Sequence, residues 1–346
     1  MVTVLSGGTG TPKLLEGTGS GRVDAAGGEG PFSSETLTIV ANTGDDIELG
    51  GLLVSPDIDT LLFQGGDVLD REYWWGIEGD THRTNEALFE LASEAGLSEG
   101  PQYLPEEAQT AGRRLARWRR FSGIAEFMTI GDRDRAVHIT RTSLIDRGET
   151  LTEATRVLGE AVGAESEILP MSDDPVATIV HTPEGAMHFQ EYWVGREGEP
   201  TVEDVEFRGS EEAAPTDTVL EALTEPVVIG PSNPVTSVGP ILSVPGVREA
   251  LAETTVVTVS PFLAGEAFSG PAAELMRATG REPTTAGLAE AYPFADAVVV
   301  DSGDGGDLPV PTVETNIRID GEADARRVRE AALRAIERVR EGDGNR

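Results

Sequence analysis

The sequence contains no cysteine and only one lysine, Lys13, among its 346 residues. The absence of cysteine excludes disulfides, thiolate metal sites and cysteine nucleophiles. The four histidines, His82, His138, His181 and His188, show no spacing typical of metal ligands. No apolar run approaches the roughly 18 residues of a membrane span, and the first residues do not have the pattern of a secretory signal. We therefore expect a cytoplasmic protein.

Basic residues are scarce and acidic residues abundant, with 27 Lys and Arg against 61 Asp and Glu and a formal net charge of −34. Such an excess should repel nucleic acids and anionic membranes, so we expect neither as a partner. Acidic surfaces with almost no lysine are typical of proteins adapted to multimolar salt, where self-repulsion is screened. An ordinary acidic protein is the alternative interpretation of this composition.

Short apolar runs alternate with helical segments along the chain. The predicted strands are Val2 to Leu5, Leu37 to Ala41, Pro226 to Ile229, Thr255 to Val259 and Ala297 to Val300. Their continuous apolarity indicates a parallel sheet that is buried on both faces. The predicted fold class is α/β, with a Rossmann-like, mostly parallel sheet and helices on both faces.

The middle of the chain has mainly helical sequence patterns. Amphipathic helices are predicted over Asp80 to Leu97, Pro105 to Phe121 and Asp146 to Gly163. We therefore predict a small all-helical insertion at 67–165 and a Rossmann-like body made of 1–66 and 166–346. Val176 to Trp193 is typical of a hairpin, and Glu322 to Gly342 is predicted to form a closing helix.

The stretch "VLSGGTGTPKLLEG" follows the first strand and has the pattern of a binding loop. With Thr11 as N-cap and proline in the first helical turn, the backbone N–H groups would converge on an anion. The candidate phosphate- or guanosine-binding residues are Gly7, Gly8, Thr9, Gly10, Thr11 and Lys13. Their spacing matches neither the dinucleotide fingerprint nor the P-loop. Glycines that only let a helix pack on a strand are the alternative interpretation.

Two acidic motifs come next. The second strand ends in "NTGDD", with Asp45 and Asp46, and "SPDIDT" supplies Asp57 and Asp59. A phosphoryl-transfer site needs oxygen ligands for Mg²⁺ and a carboxylate that accepts a proton from an attacking hydroxyl. We therefore assign Asp45 and Asp46 to the metal and Asp59 or Asp57 to catalysis. Ordinary turn residues are the alternative for either motif.

Cationic and loop residues offer counterparts to these acids. Arg133 in "GDRDRA" could clamp a phosphate or an aromatic heterocycle. Ser232 and Asn233 in "IGPSNP" follow a strand directly, could cap the next helix and should face the same crevice as the first loop. Two anion-directed loops at neighbouring strand ends suggest a diphosphate substrate. Asp173 and Asp174 are explained equally well as turn residues, so they receive no role.

Taken together, these segments resemble the 2-phospho-L-lactate transferase family of coenzyme F-420 biosynthesis. The resemblance covers most of the chain, and its motifs occur in family order: "SGGTGTPKLLEG", "SPDIDT", "WWGIEGDT", "GDRDRA", "LPMSDDPVATIV", "HFQEYWVG", "IGPSNPVTSVGPILSVPG" and "VSPFLAG…SGPAAELM". The loop from Gly17 to Pro31 and the tail after Asp301 depart from the family pattern, so no role is assigned there.

The resemblance implies a Mg²⁺-dependent transfer of a phospholactyl group from lactyl-2-diphospho-5'-guanosine to the deazaflavin Fo, with release of GMP. It also implies that Asp59 and Arg133 contact Fo and that the protein is a homodimer. The donor acid could equally be enolpyruvate or glycerate. A nicotinamide oxidoreductase would need the missing third glycine and ribose-binding acid, and a non-catalytic regulatory binder of nucleotide-sugars remains the other alternative.

Overall fold

The computed structural model describes residues 1–18, 31–33, 37–95, 102–103, 120–122, 127–264, 266–267, 271–306 and 308–343. The strands are β1 (Val2–Ser6), β2 (Leu37–Ala41), β3 (Ile47–Leu49), β4 (Leu52–Val54), β5 (Gln102–Tyr103), β6 (Arg120–Ser122), β7 (Glu167–Pro170), β8 (Ala177–Thr182), β9 (Gly185–His188), β10 (Asp204–Arg208), β11 (Val227–Ile229), β12 (Val256–Val259), β13 (Phe262–Leu263), β14 (Glu266–Ala267), β15 (Ala297–Val300) and β16 (Thr312–Glu314).

The helices of the described residues fall between and after these strands. They are α1 (Gly10–Leu14), α2 (Pro56–Gly65), α3 (Arg83–Glu94), α4 (Asp132–Asp146), α5 (Leu151–Val162), α6 (Asp217–Ala222), α7 (Gly239–Ser243), α8 (Val247–Ala252), α9 (Ala272–Ala278), α10 (Thr285–Ala291) and α11 (Glu322–Asp343), with a π-helical turn at Glu191–Gly195. Within the described part of the chain, no helix combines the length and apolarity needed to cross a membrane.

A seven-stranded parallel sheet forms the centre of the molecule, in the order β16-β15-β12-β11-β1-β2-β7. The chain builds outward from β1 through β2 to β7, and then returns to the other side of β1 to add β11 and the remaining strands. The strand order therefore reverses between β1 and β11. In open α/β sheets, ligands bind at this reversal, beyond the carboxyl ends of the strands.

Both faces of this sheet are covered, as its continuously apolar strands require. On one face, Val4 of β1 belongs to a core cluster that includes residues of α2 and α11. On the other face, the adjacent Leu5 belongs to a second cluster that includes residues of α7, α8 and α9. Each fully buried Val or Leu contributes roughly 1.5–3 kcal/mol. The predicted α/β body, with helices on both faces of a mostly parallel sheet, is confirmed.

The five predicted strands all occur in the central sheet. Val2 to Leu5 extends by one residue, the strands predicted from Pro226 and Thr255 each begin one residue later, and the other two match. The outer strands β7 and β16 were not predicted.

The insertion requires a correction, because it is not all-helical. Within 67–165 the structure contains α3, α4 and α5, but also the short strands β5 and β6. These strands join β3 and β4 in a four-stranded sheet of order β4-β3-β6-β5. The segment is mainly helical among its described residues. Its boundaries at 66 and 166 stay a prediction.

Helix boundaries in this region are set by capping. The helix predicted from Asp80 begins at Arg83, and the helix predicted from Asp146 begins at Leu151. Thr150 and Glu153 form a capping box at the start of α5, and Gly163 ends it in a left-handed conformation (φ 82°). The closing helix α11 matches its prediction to within one residue.

Three other predictions compare differently with the structure. The hairpin predicted over Val176 to Trp193 is formed by β8 and β9, but its last residues adopt the π-helical turn. The helix predicted over Pro105 to Phe121 lies outside the described residues except for Arg120 and Phe121, which belong to β6. Most of the glycine-rich loop from Gly17 to Pro31 also lies outside them.

Candidate functional site

The carboxyl ends of β1, β2 and β11 open onto a cavity of about 470 Å³. Its walls come from the first glycine loop, from α2, from the segment after β11 and from several aromatic side chains. Predicted site residues that line it are Gly7, Gly8, Thr9, Gly10, Asp45, Asp57, Asp59, Ser232 and Asn233. The fold therefore gathers most of the residues proposed from sequence into one cavity at the reversal of the strand order.

The first loop is shaped by its contact with the loop after β11. Helix α1 begins at Gly10 with Thr9 at the N-cap, so the prediction that Thr11 caps the helix is wrong by two residues. A Cβ on Gly10 would overlap the carbonyl oxygen of Pro231, and Gly8 has a φ of +60°. These glycines are needed for close packing of the two loops, and they line the cavity as well. The contacts support the packing interpretation of the glycines, and their role in binding a phosphate stays a prediction.

Two of the predicted anion-binding residues tie the loops together. The backbone N–H of Thr11 donates to Ser232 Oγ at 3.2 Å, and the two hydroxyl oxygens lie 2.7 Å apart. Thr11 is fully buried and is absent from the described cavity wall. Asn233 does not cap a helix, because its Oδ1 accepts the N–H of Val235 at 2.9 Å within a turn. Ser232 and Asn233 still line the cavity.

Asp57 lies in the first turn of α2 and points to the glycine loop. Its Oδ1 accepts the N–H of Gly8 at 2.7 Å, and its Oδ2 accepts Nδ2 of Asn42 at 2.8 Å. Asn42 also donates to the carbonyl of Thr236 at 3.2 Å. Burial raises the pKa of Asp57 to about 6, against the opposing effect of the bonds from Asn42 and Gly8. Asp57 is therefore a carboxylate that can accept a proton near neutral pH.

Asp45 and Asp46 follow β2, and their side chains have different surroundings. Asp45 lines the cavity, and its Oδ1 is buried without a hydrogen-bond partner among the described residues. Burial, and then the nearby charge of Asp57, raise the pKa of Asp45 well above its usual value. Asp46 accepts a hydrogen bond from Ser55 Oγ at 3.0 Å instead, and is absent from the described cavity wall.

Asp59, two residues after Asp57 in α2, belongs to a buried ion-pair network with α4. Arg141, which is fully buried, donates to both carboxylate oxygens of Asp59. His138 Nε2 lies 3.1 Å from Asp59 and 3.0 Å from Asp134. Burial would raise the pKa of Asp59, but the charge of Arg141 and the contact with His138 lower it to about 2. Asp59 is thus held as a carboxylate with little tendency to accept a proton.

The same network holds His138 in its charged form. Burial by itself would lower the pKa of His138, but the contacts with Asp134 and Asp59 raise it to about 9. Asp134 and His138 are four residues apart on α4 and so lie on one face of the helix. An imidazolium between two carboxylates balances charge that would otherwise be costly to bury.

Asp59, Asp134 and His138 also form a group that could hold a metal ion, since one ligand atom from each lies within 4.8 Å of the others. Mg²⁺ prefers oxygen ligands and retains several waters, whereas imidazole suits transition metals. Arg141 already neutralises Asp59 in this group. Asp45 lines the cavity close to Asp57 and offers only oxygen ligands, so it fits Mg²⁺ better than this ion-paired group does.

The motifs "GDT" and "GDRD" cap each other's helices. The Asp80 carboxylate accepts the backbone N–H groups of Arg133 and Asp134 at the start of α4. Asp132 in turn accepts the N–H groups of Arg83 and Thr84 at the start of α3. This exchange explains why α3 begins after Asp80. The side chain of Arg133 is exposed and is absent from the described cavity wall, so its contact with Fo stays a prediction.

Lys13 lies beside the main cavity. With Gly10 and Pro231, which also line the main cavity, it borders a smaller adjoining space, and its Nζ is 5.3 Å from the ring centre of Trp74. Burial lowers the pKa of Lys13. Its predicted role in binding phosphate stays a prediction.

The pair Asp173 and Asp174 has a structural role. Asp173 Oδ1 accepts the N–H and hydroxyl of Thr152 in α5, each at 2.8 Å. Asp174 accepts the N–H of Ala214 at 3.1 Å. The turn interpretation is therefore the one that the contacts support.

Three residues of this site received no role in the sequence analysis: Asn42, Asp134 and His138. Asp134 and His138 are four residues apart on a helix, and this spacing could have indicated from the sequence that they share one face. The expectation that no histidine has metal-ligand spacing did not consider it. The sequence also suggests Arg141, like Arg133, as a clamp for a phosphate or an aromatic heterocycle, but Arg141 is fully buried against Asp59, which lies 82 residues away in the sequence.

Comparison with known proteins gives a consistent result. The family described as "2-phospho-L-lactate transferase CofD" matches residues 2–339. Proteins named 2-phospho-L-lactate transferase from Haloarcula marismortui and Halobacterium salinarum are 62% and 55% identical to this chain, covering 98% and 97% of it and 100% and 98% of their own lengths. The protein of that name from Methanosarcina acetivorans is 45% identical over 88% of this chain and 87% of its own.

Solved structures support the same fold. A UPF0052 family protein from Bacillus halodurans superposes with a TM-score of 0.56 at 15% identity, covering 96% of this chain and 98% of its own. That likeness concerns the fold alone. Two of the relatives come from halophilic genera, in agreement with the acidic, lysine-poor composition. By its match over almost the whole length, the chain belongs to the 2-phospho-L-lactate transferase CofD family.

Proposed function

We propose that this protein transfers a 2-phospholactyl group from lactyl-2-diphospho-5'-guanosine to the deazaflavin Fo and releases GMP, in the biosynthesis of coenzyme F-420. The observation that carries the proposal is a cavity in which two loops suited to a diphosphate adjoin a carboxylate whose pKa is about 6. Family membership supports the same reaction. The proposed protein is a cytoplasmic homodimer.

Asp57 is the proposed base. The terminal ribityl hydroxyl of Fo attacks the phosphorus that bears lactate, a new P–O bond forms, and the bond from that phosphorus to the GMP oxygen breaks. The hydroxyl proton passes to Asp57. Of the two carboxylates assigned to catalysis, Asp57 fits this step better than Asp59 because Arg141 and His138 hold Asp59 ionised at low pKa. Asp59 then keeps a positioning role beside Fo.

The diphosphate is proposed to lie against the segment from Gly7 to Gly10 and against Ser232. Helix α1 starts there, and a helix N-terminus favours negative charge. Mg²⁺, when bound, would neutralise charge on the diphosphate and on the leaving GMP. Asp45 is the residue proposed to hold Mg²⁺. Asp46, which accepts a hydrogen bond from Ser55, is proposed to stabilise the same strand end.

The decisive experiment mixes the purified protein with Fo, Mg²⁺ and lactyl-2-diphospho-5'-guanosine in molar KCl. We expect release of GMP and a phospholactylated deazaflavin that mass spectrometry detects, and chelation of the metal should stop both. Parallel reactions with enolpyruvyl and glyceryl donors identify the acid. Lys13→Ala should weaken use of the donor by roughly tenfold to a hundredfold, because a charge-assisted phosphate contact is lost.

Arg133→Ala is the matched comparison, since we expect it to weaken the binding of Fo and to leave the binding of the donor unchanged. If no donor yields GMP or adduct and Fo does not bind, the transferase proposal fails. Binding of nucleotide-sugars without Fo would then favour the regulatory alternative.

A further inference from the structure

The loop between α2 and α3 presents two exposed aromatic rings at the cavity. Tyr73 and Trp75 are 60% and 47% exposed, although both line the cavity wall. Their ring centres are 5.9 Å apart, with the planes inclined by 52°. Large exposed aromatic rings beside a cavity are a recurring means of binding planar ligands. We call residues 69–77 the aromatic loop.

The aromatic loop is held in shape by its own hydrogen bonds. Leu69 and Ile77, both buried, form an antiparallel bridge at its base. The Asp70 carboxylate accepts the N–H groups of Glu72 and Tyr73, and its carbonyl accepts the N–H of Trp74 at 2.8 Å. The backbone that carries the two exposed rings is therefore fixed by hydrogen bonds, which lowers the conformational entropy lost when a ligand binds.

Trp74, between the two exposed rings, has an unusual backbone. Its φ of 63° is one that bulky residues rarely adopt. With this geometry, Trp74 packs on the main core and lies near Lys13, while Tyr73 and Trp75 remain at the cavity. Strained backbone of this kind is concentrated at ligand-binding positions.

One face of α2 connects the proposed base with the aromatic loop. Asp57, Thr60 and Phe63 all line the cavity at intervals of three residues. The rise of an α-helix separates the first and last of them by about 9 Å along the axis. An acceptor whose hydroxyl meets Asp57 would then extend along this face, and its ring system would arrive near the aromatic loop.

We infer that Tyr73 and Trp75 stack on the fused rings of the deazaflavin acceptor and set the specificity of this end of the site for a planar heterocycle. The inference rests on the proposed function and adds the residues that recognise the ring. Trp193, carried on the π-helical turn, also lines this cavity and is 40% exposed. We place the guanine ring of the donor beside the diphosphate loops instead, as part of the same proposal.

The test measures binding of Fo alone, by titration in molar KCl without donor. Trp75→Ala and Tyr73→Ala should each weaken the affinity for Fo by roughly fivefold to a hundredfold, as expected for loss of one stacking partner. Trp75→Phe and Tyr73→Phe should stay within about threefold of the wild type, because an aromatic face remains. Guanosine diphosphate, titrated separately, should bind all variants alike.

Phe89→Ala is the control, because Phe89 is also 47% exposed but lies on α3, away from the described cavity wall. It should leave both ligands unaffected. The inference is overturned if Trp75→Ala and Tyr73→Ala bind Fo as tightly as the wild type does. It is also overturned if they lose affinity for guanosine diphosphate and not for Fo. If the alanine variants give either of these results while the wild type binds Fo and releases GMP, only the inference fails. If the wild type does not bind Fo, the proposed function fails as well.

Discussion

Asp57 and Asp59 are two residues apart on α2, yet their carboxylates have opposite chemical tendencies. Asp57 has only neutral donors, the N–H of Gly8 and the amide of Asn42, so burial prevails and its pKa rises to about 6. Asp59 has a buried guanidinium and an imidazolium, which outweigh burial and lower its pKa to about 2. Carboxylates whose surroundings separate their pKa values in this way commonly divide the chemical roles of a site.

The first prediction concerns the pH dependence of turnover. If Asp57 accepts the proton, kcat/KM should rise with pH as this carboxylate ionises, with a midpoint near 6. Asp57→Asn should lower kcat by about 10²–10⁴-fold and remove this acidic limb of the profile. The measurement is kcat/KM for GMP release between pH 4.5 and 7.5 (about 1.5 units either side of the midpoint), with folding followed by circular dichroism.

Asp59→Asn is the matched comparison at the same helix turn. It should destabilise the protein by about 3–5 kcal/mol, because it leaves the buried Arg141 without its partner carboxylate. Any folded fraction should keep the limb near pH 6. Loss of that limb in a folded Asp59→Asn protein, with the limb intact in Asp57→Asn, would assign the base to Asp59.

The sequence could nominate both carboxylates but could not choose between them. Their type and position after a strand predict a carboxylate site, and the fold confirms that both reach the cavity. The difference in pKa arises from Arg141 and His138, which approach from α4, about 80 residues further along the chain. Such long-range partners leave no local pattern, so the choice required the three-dimensional structure.

At the scale of elements, the junction of α1 with the loop after β11 holds the site together. Gly10→Ala should destabilise the protein by about 1–3 kcal/mol, because the added Cβ overlaps the Pro231 carbonyl. Helix propensity acts in the opposite direction, since alanine is favoured over glycine by roughly 1 kcal/mol in a helix. We expect the overlap to dominate, because backbone lies on both sides of it.

Urea unfolding in molar KCl, together with the GMP-release assay, checks this prediction. Gly342→Ala is the control, because Gly342 lies in α11 and a Cβ there would have no neighbour within 4 Å. That variant should be as stable as the wild type or slightly more stable. Equal stability of the Gly10 and Gly342 variants would show that the loops do not constrain each other at Gly10.

Elements with a continuous apolar pattern were predicted well, and elements set by contacts were not. Strands β1 and β15 are buried throughout, and β2 is buried at every position except the half-buried Thr38, which produces apolar runs that the sequence displays directly. Strand β16 has only three residues, and its middle residue alone is buried, so no pattern marks it. The start of α3 depends on Asp132, whose carboxylate caps that helix from another segment. Propensity alone could not locate that boundary.

At the scale of the whole molecule, the charge excess should make folding depend on salt. The chain carries 61 acidic and 27 basic side chains, and its surface ion pairs, such as Arg156 with Glu160, are well exposed. Lowering the salt strengthens those pairs, but each is worth only about 0–1 kcal/mol. It also lengthens the Debye length from about 3 Å at 1 M to about 10 Å at 0.1 M, so that many unpaired carboxylates repel one another at once. We expect repulsion to prevail.

The last prediction is therefore that transfer from about 1 M KCl to about 0.1 M KCl lowers the melting temperature and abolishes GMP release, because repulsion then acts over the longer Debye length. Returning KCl should restore both if the unfolded chain has not aggregated. Sucrose added at low salt is the control, since it favours compact states but does not screen charge. A melting temperature that is the same at both salt concentrations would mean that the carboxylates are too far apart, or too well paired, to oppose folding. Recovery with sucrose alone would assign the salt effect to hydration, because only a screening ion can reduce repulsion among the carboxylates.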